Sequence, residues 1–219
     1  MRTAKYILAV AAAAAAWALD AGDSVNISEV EAAASASAPP VFVELYNAAA
    51  MNVALGGWSV RAYTRNGVEA VKLPDDAVIP ARGFYLVGRA ADADKWSRYS
   101  YRPDCYTDYS LEFAPAKGGV LLVRPSGENR DAAGWGAVPT PYFEGTPHSP
   151  VGEGHSLERK SGPEHSEIHG NSYDTGNNAN DLRERAVPEP QNINSPREYP
   201  SANTEDNAWG RIKAMYYGQ

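Results

Sequence analysis

Short apolar segments separated by glycine- and proline-containing turns recur along most of the chain, and this pattern restricts the fold more than any other feature. Residues 41–47 (VFVELYN) alternate with the two-residue period of a strand that is buried on one face. An Asn66-Gly67 pair lies between residues 58–64 (WSVRAYT) and 68–73, and this pair is the strongest short signal for a β-hairpin. Such segments follow one another without helical periodicity between them. They predict an all-β fold, an antiparallel sandwich of about eight or nine strands.

Several predicted strands carry specific expectations for their side chains. Residues 25–32 alternate as a half-buried strand, with the apolar side chains directed inward. Trp58 follows two glycines and is expected between the sheets, because glycine allows the backbones to approach closely. Glu158 and Arg159 alternate across their strand and are expected to face solvent or to cap a neighbouring loop. Further strands are predicted at residues 84–88, 120–124, 131–138, 154–160 and 181–186.

The charge and cysteine content exclude several kinds of partner and site. The 219 residues contain 20 Lys and Arg against 27 Asp and Glu, which gives a formal net charge of -7. This balance disfavours nucleic acid and anionic membrane surfaces as partners, because both repel an acidic protein that has no basic cluster. Cys105 is the single cysteine, so it can form neither an intramolecular disulfide nor a cysteine-based zinc site.

The N-terminal residues have the features of a secretory signal peptide. Two basic residues precede an apolar run at residues 6–19, and residues 16–18 (AWA) have the small-x-small pattern of a signal peptidase site. We expect a signal peptide at residues 1–18 and a mature leader at residues 19–24. The run is shorter than the ~20 residues that span a bilayer, which disfavours the alternative of a retained anchor helix. The mature protein is expected to be secreted, periplasmic or on the cell surface, without an integral membrane segment.

Six strings in a fixed order resemble a known family. VFVELYN, LGGWSV, IPARGFYLVG, GGVLLVRPSG, GHSLERKSG, and NNANDL with PEPQN are together similar to the bacterial lamin-tail domain, the immunoglobulin-like module also found at the end of nuclear lamins. The resemblance covers residues 25–192. It implies an immunoglobulin-like β-sandwich, which in bacteria is usually exported and serves as an accessory or interaction module beside enzymes or surface domains. The sequence departs from the family pattern in an insertion around residues 89–109 and in having no companion domain.

Nothing in the sequence has the arrangement that hydrolases use for catalysis. A hydrolase needs a histidine beside a nucleophile, with a carboxylate to orient the ring. His155 and Ser156 are adjacent in a predicted strand and therefore point to opposite faces. The sequence contains no Gly-x-Ser-x-Gly elbow and no glycine-rich phosphate loop. We predict no enzyme activity, no catalytic residue and no cofactor.

Two polar segments could hold a metal ion, and each has an ordinary structural alternative. His165, Glu167 and His169 would share one face of an extended segment and could form a site of nitrogen and oxygen ligands, or they could belong to a polar loop. Residues 174–181 (DTGNNAND) offer oxygen ligands that suit calcium, but they lack the spacing of an EF-hand. The same residue types are what a turn requires, because their side chains bond the local backbone.

The insertion is rich in aromatic residues with polar tips, which suit sugar stacking or a protein interface. Alternatively, these residues, together with Leu111 and Phe113, could fold a long loop onto one sheet edge. We assign the sandwich to residues 25–195 and the insertion to residues 89–110. The candidate interaction residues in the insertion are Trp96, Tyr99, Tyr101, Tyr106 and Tyr109.

The C-terminal residues 196–219 predict a polar linker and a short amphipathic helix. Thr204 can cap a helix over residues 205–217, on which Trp209, Ile212 and Met215 recur at helical spacing. So short a helix is unstable alone and must dock, either on its own sandwich or on another molecule.

The sequence therefore predicts a non-catalytic, exported β-sandwich that mediates extracellular protein interaction or surface assembly. A carbohydrate-binding module that uses the aromatic insertion is the alternative. A third possibility is an accessory domain of a hydrolase or nuclease, which would need a second folded domain.

Overall fold

Twelve strands form most of the regular structure in the computed structural model, which describes residues 22–32, 40–99 and 102–201. A one-turn α-helix, α1 (Asn178–Asp181), and three 3-10 helices at Gly22–Ser24, Ala90–Asp92 and Lys95–Arg98 accompany them. The predicted signal peptide, Tyr101 and the predicted C-terminal helix with Trp209, Ile212 and Met215 lie outside the described residues. The strands are β1 (Val25–Glu31), β2 (Phe42–Asn47), β3 (Val53–Ala54), β4 (Ser59–Thr64), β5 (Gly67–Lys72), β6 (Val78–Ile79), β7 (Phe84–Arg89), β8 (Cys105–Thr107), β9 (Lys117–Val123), β10 (Asn129–Gly136), β11 (Ser156–Arg159) and β12 (Leu182–Arg185).

Two sheets face each other across an apolar core. The larger sheet has the strand order β12-β11-β1-β2-β7-β8, the smaller sheet has the order β10-β9-β4-β5, and β3 pairs with β6 in a separate ribbon. All pairs between these strands are antiparallel except β7 with β8, a short strand within the insertion. The predicted all-β sandwich is confirmed. More strands are present than the sequence predicts, because β3, β6 and β8 are too short to show a periodic pattern. Among the described residues, no helix is long and apolar enough to cross a membrane.

The core between the sheets contains Trp58, as the sequence predicts. Its ring is buried in one cluster with Val60 on β4, Val120 on β9 and Leu45 on β2. The Arg124 guanidinium lies 5.6 Å from the centre of the ring. Trp58 thus joins side chains from both sheets.

β1 and β2 are buried on both faces, which corrects the expectation of half-buried strands. Every residue of β1 and of β2 is buried, including the polar ones. One face packs in the core. The other is covered by residues 161–171 and 186–201, which we name the outer layer. The Gln191 N–H donates to Glu44, and the Tyr46 hydroxyl donates to the Glu198 carbonyl. A two-residue alternation describes only one strand, so it does not show that a distant segment will cover the polar face.

Arg159 projects into the core rather than toward solvent, and this is a second correction. The side chain has no exposed surface, and its Nη2 donates to both carboxylate oxygens of Asp131 on β10, at 2.7 and 2.9 Å. Nε donates to the Ile27 carbonyl at 2.9 Å. Asp131 in turn accepts the Ile27 N–H at 2.6 Å. The ion pair therefore links β11 and β1 of one sheet to β10 of the other.

Candidate functional site

Three glutamates lie directly opposite one another on three adjacent strands of the larger sheet. Glu158 on β11 is the register partner of Glu29 on β1, and Glu29 is also the register partner of Glu44 on β2. We name these residues the glutamate row. Like charges in opposite positions destabilise a sheet. An arrangement that breaks this rule under a covering layer is a candidate functional position.

A bulge in β1 helps to bring the row together. The register of β1 against β2 shifts between Ile27 and Glu29. The extra residue lets Ile27 and Val30 both point into the core, although they are separated by an odd number of positions. Ser28 and Glu29 consequently both reach the outer face, where Ser28 donates to Glu44 at 2.5 Å and Ser156 donates to Glu29.

The carboxyls of Glu29 and Glu44 are buried, and burial raises the pKa of each. Burial raises the pKa of Glu29 from its ordinary value of 4.5 to about 8, although the bond from Ser156 opposes the shift. Burial and the neighbouring Glu29 also raise the pKa of Glu44 well above its ordinary value. The Glu29 carboxyl therefore favours the protonated form at neutral pH, and the pKa of Glu44 is shifted in the same direction. Glu158 retains a small exposed fraction and contacts two arginines of β12.

A polar cavity of about 540 Å³ lies beneath the outer layer, and Glu158 is the member of the glutamate row that lines it. This volume is within the ordinary range of small-ligand sites, which is about 300 to 1,000 Å³. We name it the acidic cavity, because its wall contains four glutamates. It is lined by Tyr99, Glu158, His165, Ser166, Glu167, His169, Asn171, Arg185, Pro188, Glu189, Pro190, Gln191, Pro196 and Glu198.

Two arginines balance part of the negative charge of this wall. Arg183 Nε donates to Glu158 at 2.7 Å, and its Nη2 donates to Glu167 at 2.7 Å. Arg185 Nη1 donates to Glu158 at 3.1 Å and to Glu167 at 2.8 Å, and its Nη2 donates to Glu189. These bonds lower the pKa of Glu167 to about 2, against the effect of partial burial. Glu167 is thus ionised at every physiological pH.

The structure brings two of the three predicted metal ligands together with a third group. Donor atoms of His165, Glu167 and Glu158 lie within 4.8 Å of one another, while His169 lines the same cavity. His165 Nδ1 accepts the Ser161 N–H at 3.3 Å, so the neutral ring carries its proton on Nε2, which lies 3.3 Å from Glu167. A metal ligand needs a free nitrogen lone pair at that position. The Ser161 contact is of the kind that a polar loop makes, and both alternatives, the metal site and the polar loop, stay predictions.

The predicted calcium segment is organised mainly by its own hydrogen bonds. Asp181 is buried and accepts bonds from Thr175 and from the Asn177 N–H. Asp174 lies apart from them, with a carboxylate oxygen within 4.8 Å of those of Asp131 and Glu144. Since Asp131 already pairs with Arg159, this group offers calcium little beyond two carboxylates. Calcium binding by residues 174–181 stays a prediction.

The structure separates the predicted aromatic residues of the insertion into a buried pair and an exposed pair. Trp96 is fully buried against Phe42 and Leu86, and Tyr99 packs on Trp96 while lining the acidic cavity. Trp96 is therefore a core residue in this conformation and offers no surface for contact. Leu111 and Phe113 are also buried, in agreement with the alternative of a loop folded onto the sheet.

Tyr106 and Tyr109 remain on the surface, with 44 and 49 % of each residue exposed. Tyr106 lies on β8 and is held by pairing with β7. The Tyr109 N–H donates to Thr107 at 3.1 Å, and the adjacent Ser110 donates to Glu69 at 2.6 Å. The two rings are thus presented on a segment whose backbone is fixed at both ends.

The histidine contacts described by the structure go to backbone atoms and carboxylates. His148 Nδ1 contacts the Ser149 carbonyl, and His155 Nδ1 lies 2.6 Å from Glu184. Ser156 points to the other face and donates to Glu29, as the strand alternation predicts. None of these partners is a nucleophile.

Sequence reasoning missed Glu29 and Glu44 as members of a site. Both lie at polar positions of alternating strands, where solvent exposure is the ordinary expectation. The sequence signal for the row was the presence of glutamates in several predicted strands. That these glutamates lie opposite one another is visible only once the order and register of the strands are known.

Comparisons with known proteins agree with this fold. The model of the family described as Lamin Tail Domain matches residues 19–137. A solved structure of a DUF4876 family protein from Bacteroides thetaiotaomicron is similar with a TM-score of 0.59 and 15 % sequence identity, and the match covers 84 % of this chain and 76 % of that chain. A comparison with curated proteins finds no match. At this identity, the structural likeness concerns the fold alone.

Proposed function

The chain belongs to the lamin tail domain family, and from this premise we propose that it is a non-catalytic, exported domain that mediates protein interaction or assembly at the cell surface. Family membership supports a non-catalytic domain. The histidine contacts agree with that role, because they serve the structure of loops and strands. The N-terminal signal-like sequence supports export.

The observation that carries the proposal is the fixed presentation of Tyr106 and Tyr109. Large aromatic side chains contribute much contact area at a small cost in conformational entropy, and they are enriched at binding hot spots. Burial of Trp96 and pairing of β8 hold this segment before any partner arrives. Such preorganisation lowers the entropic cost of binding.

Site-specific photocrosslinking in the native host tests this proposal. A photoreactive phenylalanine analogue at position 106 or 109 is expected to form covalent adducts with a surface protein, because the native rings lie at the contact. Met51 is the matched control position. It is 42 % exposed and follows the C-terminal end of β2, away from Tyr106 and Tyr109. Adducts that are no more abundant at 106 and 109 than at 51 would overturn the role of the two tyrosines.

The acidic cavity favours a second candidate function, the binding of a glycan. Its volume suits a sugar unit, its wall offers carboxylates and amides as hydrogen-bond partners, and Tyr99 supplies an aromatic ring. We expect the purified chain to bind selected members of a glycan array, and we expect Tyr99→Ala to abolish that binding while Tyr106→Ala retains it. An array without reproducible binding would eliminate this candidate.

A further inference from the structure

The outer side of the smaller sheet is covered over only half of its width. Residues 138–143 pack over β9 and β10, where Val138 and Tyr142 contact Leu121 and Ala132. On β4 the Tyr63 ring packs against Tyr142, whereas the outward residues Arg61, Val68, Ala70 and Lys72 are exposed. β5 is also an edge strand of its sheet. Within the part of the chain that the structure describes, Tyr142 is thus the residue of the covering segment that reaches this half of the sheet.

The uncovered half has the composition of a contact surface. Val68, beside the turn between β4 and β5, is 61 % exposed, and the Lys117 ammonium lies 5.7 Å from the centre of the Tyr63 ring. Tyrosine and arginine are enriched at protein interfaces, and Tyr63 and Arg61 lie on this half of the sheet. We name this surface the β4–β5 face, and it comprises Arg61, Tyr63, Val68, Ala70, Lys72 and Lys117.

The β4–β5 face has a positive charge that its own surroundings do not neutralise. Lys72 pairs with Asp75 at 2.8 Å. Within the described ranges, neither Arg61 nor Lys117 forms an ion pair with a carboxylate. On a chain with a formal net charge of -7, such a surface is unusual. It fits a negatively charged partner.

The acidic cavity offers the complementary charge on the opposite outside of the sandwich. Its four glutamates outnumber the two arginines, which pair with Glu158, Glu167 and Glu189. The side chains of Glu167 and Glu189 are 58 and 67 % exposed, so they are accessible at the rim. A second copy of this chain can thus present its basic face to the acidic rim of the first copy.

We propose that copies of this chain associate head to tail, with the β4–β5 face of one copy docked over the acidic cavity of the next. The inference rests on the proposed function, because it identifies the chain itself as one protein partner. The two surfaces lie on opposite sides of the molecule, so the contact is heterologous and leaves one free surface at each end. Such contacts extend into open chains unless the rotation between copies closes a ring.

Charge reversal in the full chain tests this contact by sedimentation velocity over a range of concentrations. The wild-type chain is expected to associate as its concentration rises. Two double variants each reverse the charge of one surface: Arg61→Glu with Lys117→Glu, and Glu167→Lys with Glu189→Lys. Each is expected to weaken association at least about tenfold, because it places like charges in contact. A mixture of the two double variants is expected to associate again, because each reversed surface then meets an opposite charge.

A matched single substitution separates the contact from net charge. Arg197→Glu changes the charge as much as Arg61→Glu does, but Arg197 lies in the outer layer, between the cavity-lining residues Pro196 and Glu198 in sequence. We expect only Arg61→Glu to weaken association, and circular dichroism to show that all variants are folded.

Several outcomes would overturn the head-to-tail contact. These are a monomeric wild-type chain at every concentration, equal loss of association in Arg61→Glu and Arg197→Glu, or folded double variants that do not associate when mixed. Photocrosslinking at Tyr106 and Tyr109 to a different protein by a monomeric chain would leave the proposed function intact while rejecting this inference.

Discussion

Raising the pH from about 5 to about 9 is expected to remove about 3 to 5 kcal/mol that the buried proton of Glu29 alone contributes to the free energy of unfolding. The folded state holds the Glu29 proton up to a pKa of about 8, whereas the unfolded chain releases it near 4.5. Between these values the folded state binds the additional proton, so rising pH favours unfolding. This contribution is fully present below pH 4.5 and is lost as the pH rises through 8.

Other carboxyls act in the same direction over this range. Burial raises the pKa of Glu44, raises that of Glu144 to about 8, and raises that of Asp104 to about 6. Glu167 acts in the opposite direction below pH 4.5, because its pKa is lowered to about 2 and its ion pairs are lost in acid. The greatest stability is therefore expected near pH 5.

Urea unfolding followed by tryptophan fluorescence at several pH values measures this effect. Glu29→Gln keeps an acceptor for Ser156 but has no proton to lose, so its stability should depend less on pH than that of the wild type. Glu128→Gln, at an exposed turn, is the control and should follow the wild-type dependence. Parallel profiles for wild type and Glu29→Gln would show that the Glu29 carboxyl does not bear the buried proton.

Replacement of Asp131 by asparagine is expected to destabilise the protein by about 3 to 5 kcal/mol. The substitution leaves the Arg159 guanidinium buried without an opposite charge, in the space between the sheets. Urea unfolding at neutral pH measures the loss. Lys72→Met, which breaks the exposed pair with Asp75, is the control and should change the stability little.

The double variant Asp131→Leu with Arg159→Met separates the buried charge from the rest of the network. It should recover part of the loss, because no unpaired charge remains in the core. Recovery should be incomplete, since the N–H groups of Ile27 and Ala132 lose their acceptor on Asp131. A double variant less stable than Asp131→Asn would contradict this account.

The sequence predicts the sandwich well because its signals are local. The alternation of VFVELYN and the Asn66-Gly67 turn each depend on a few neighbouring residues. The alternation corresponds to β2, and the turn corresponds to the β4–β5 hairpin. Burial of Trp58 was also predictable, because a large ring beside glycines has few places outside a core. The family resemblance added the order of the strands along the chain.

The glutamate row and the Arg159 pair were not predictable in the same way. Glu29, Glu44 and Glu158 are distant in sequence, and their approach depends on the register of three strands and a bulge. Arg159 follows Glu158 in an ordinary polar dipeptide, and only the position of Asp131 on the other sheet explains its burial. Trp96 shows the same limit, since an aromatic residue in an insertion gives no sign of which surface it covers.

The central position of β1 has a consequence for how the chain reaches its folded state. β1 pairs with β2 nearby in sequence, but its other neighbour, β11, begins only at Ser156. Contacts this distant in sequence raise the contact order, which slows folding. Until β11 and the outer layer have closed over β1, the Glu29 carboxyl remains hydrated and ionised at neutral pH. Proton uptake by Glu29 therefore belongs to a late step of folding, after β11 has paired with β1.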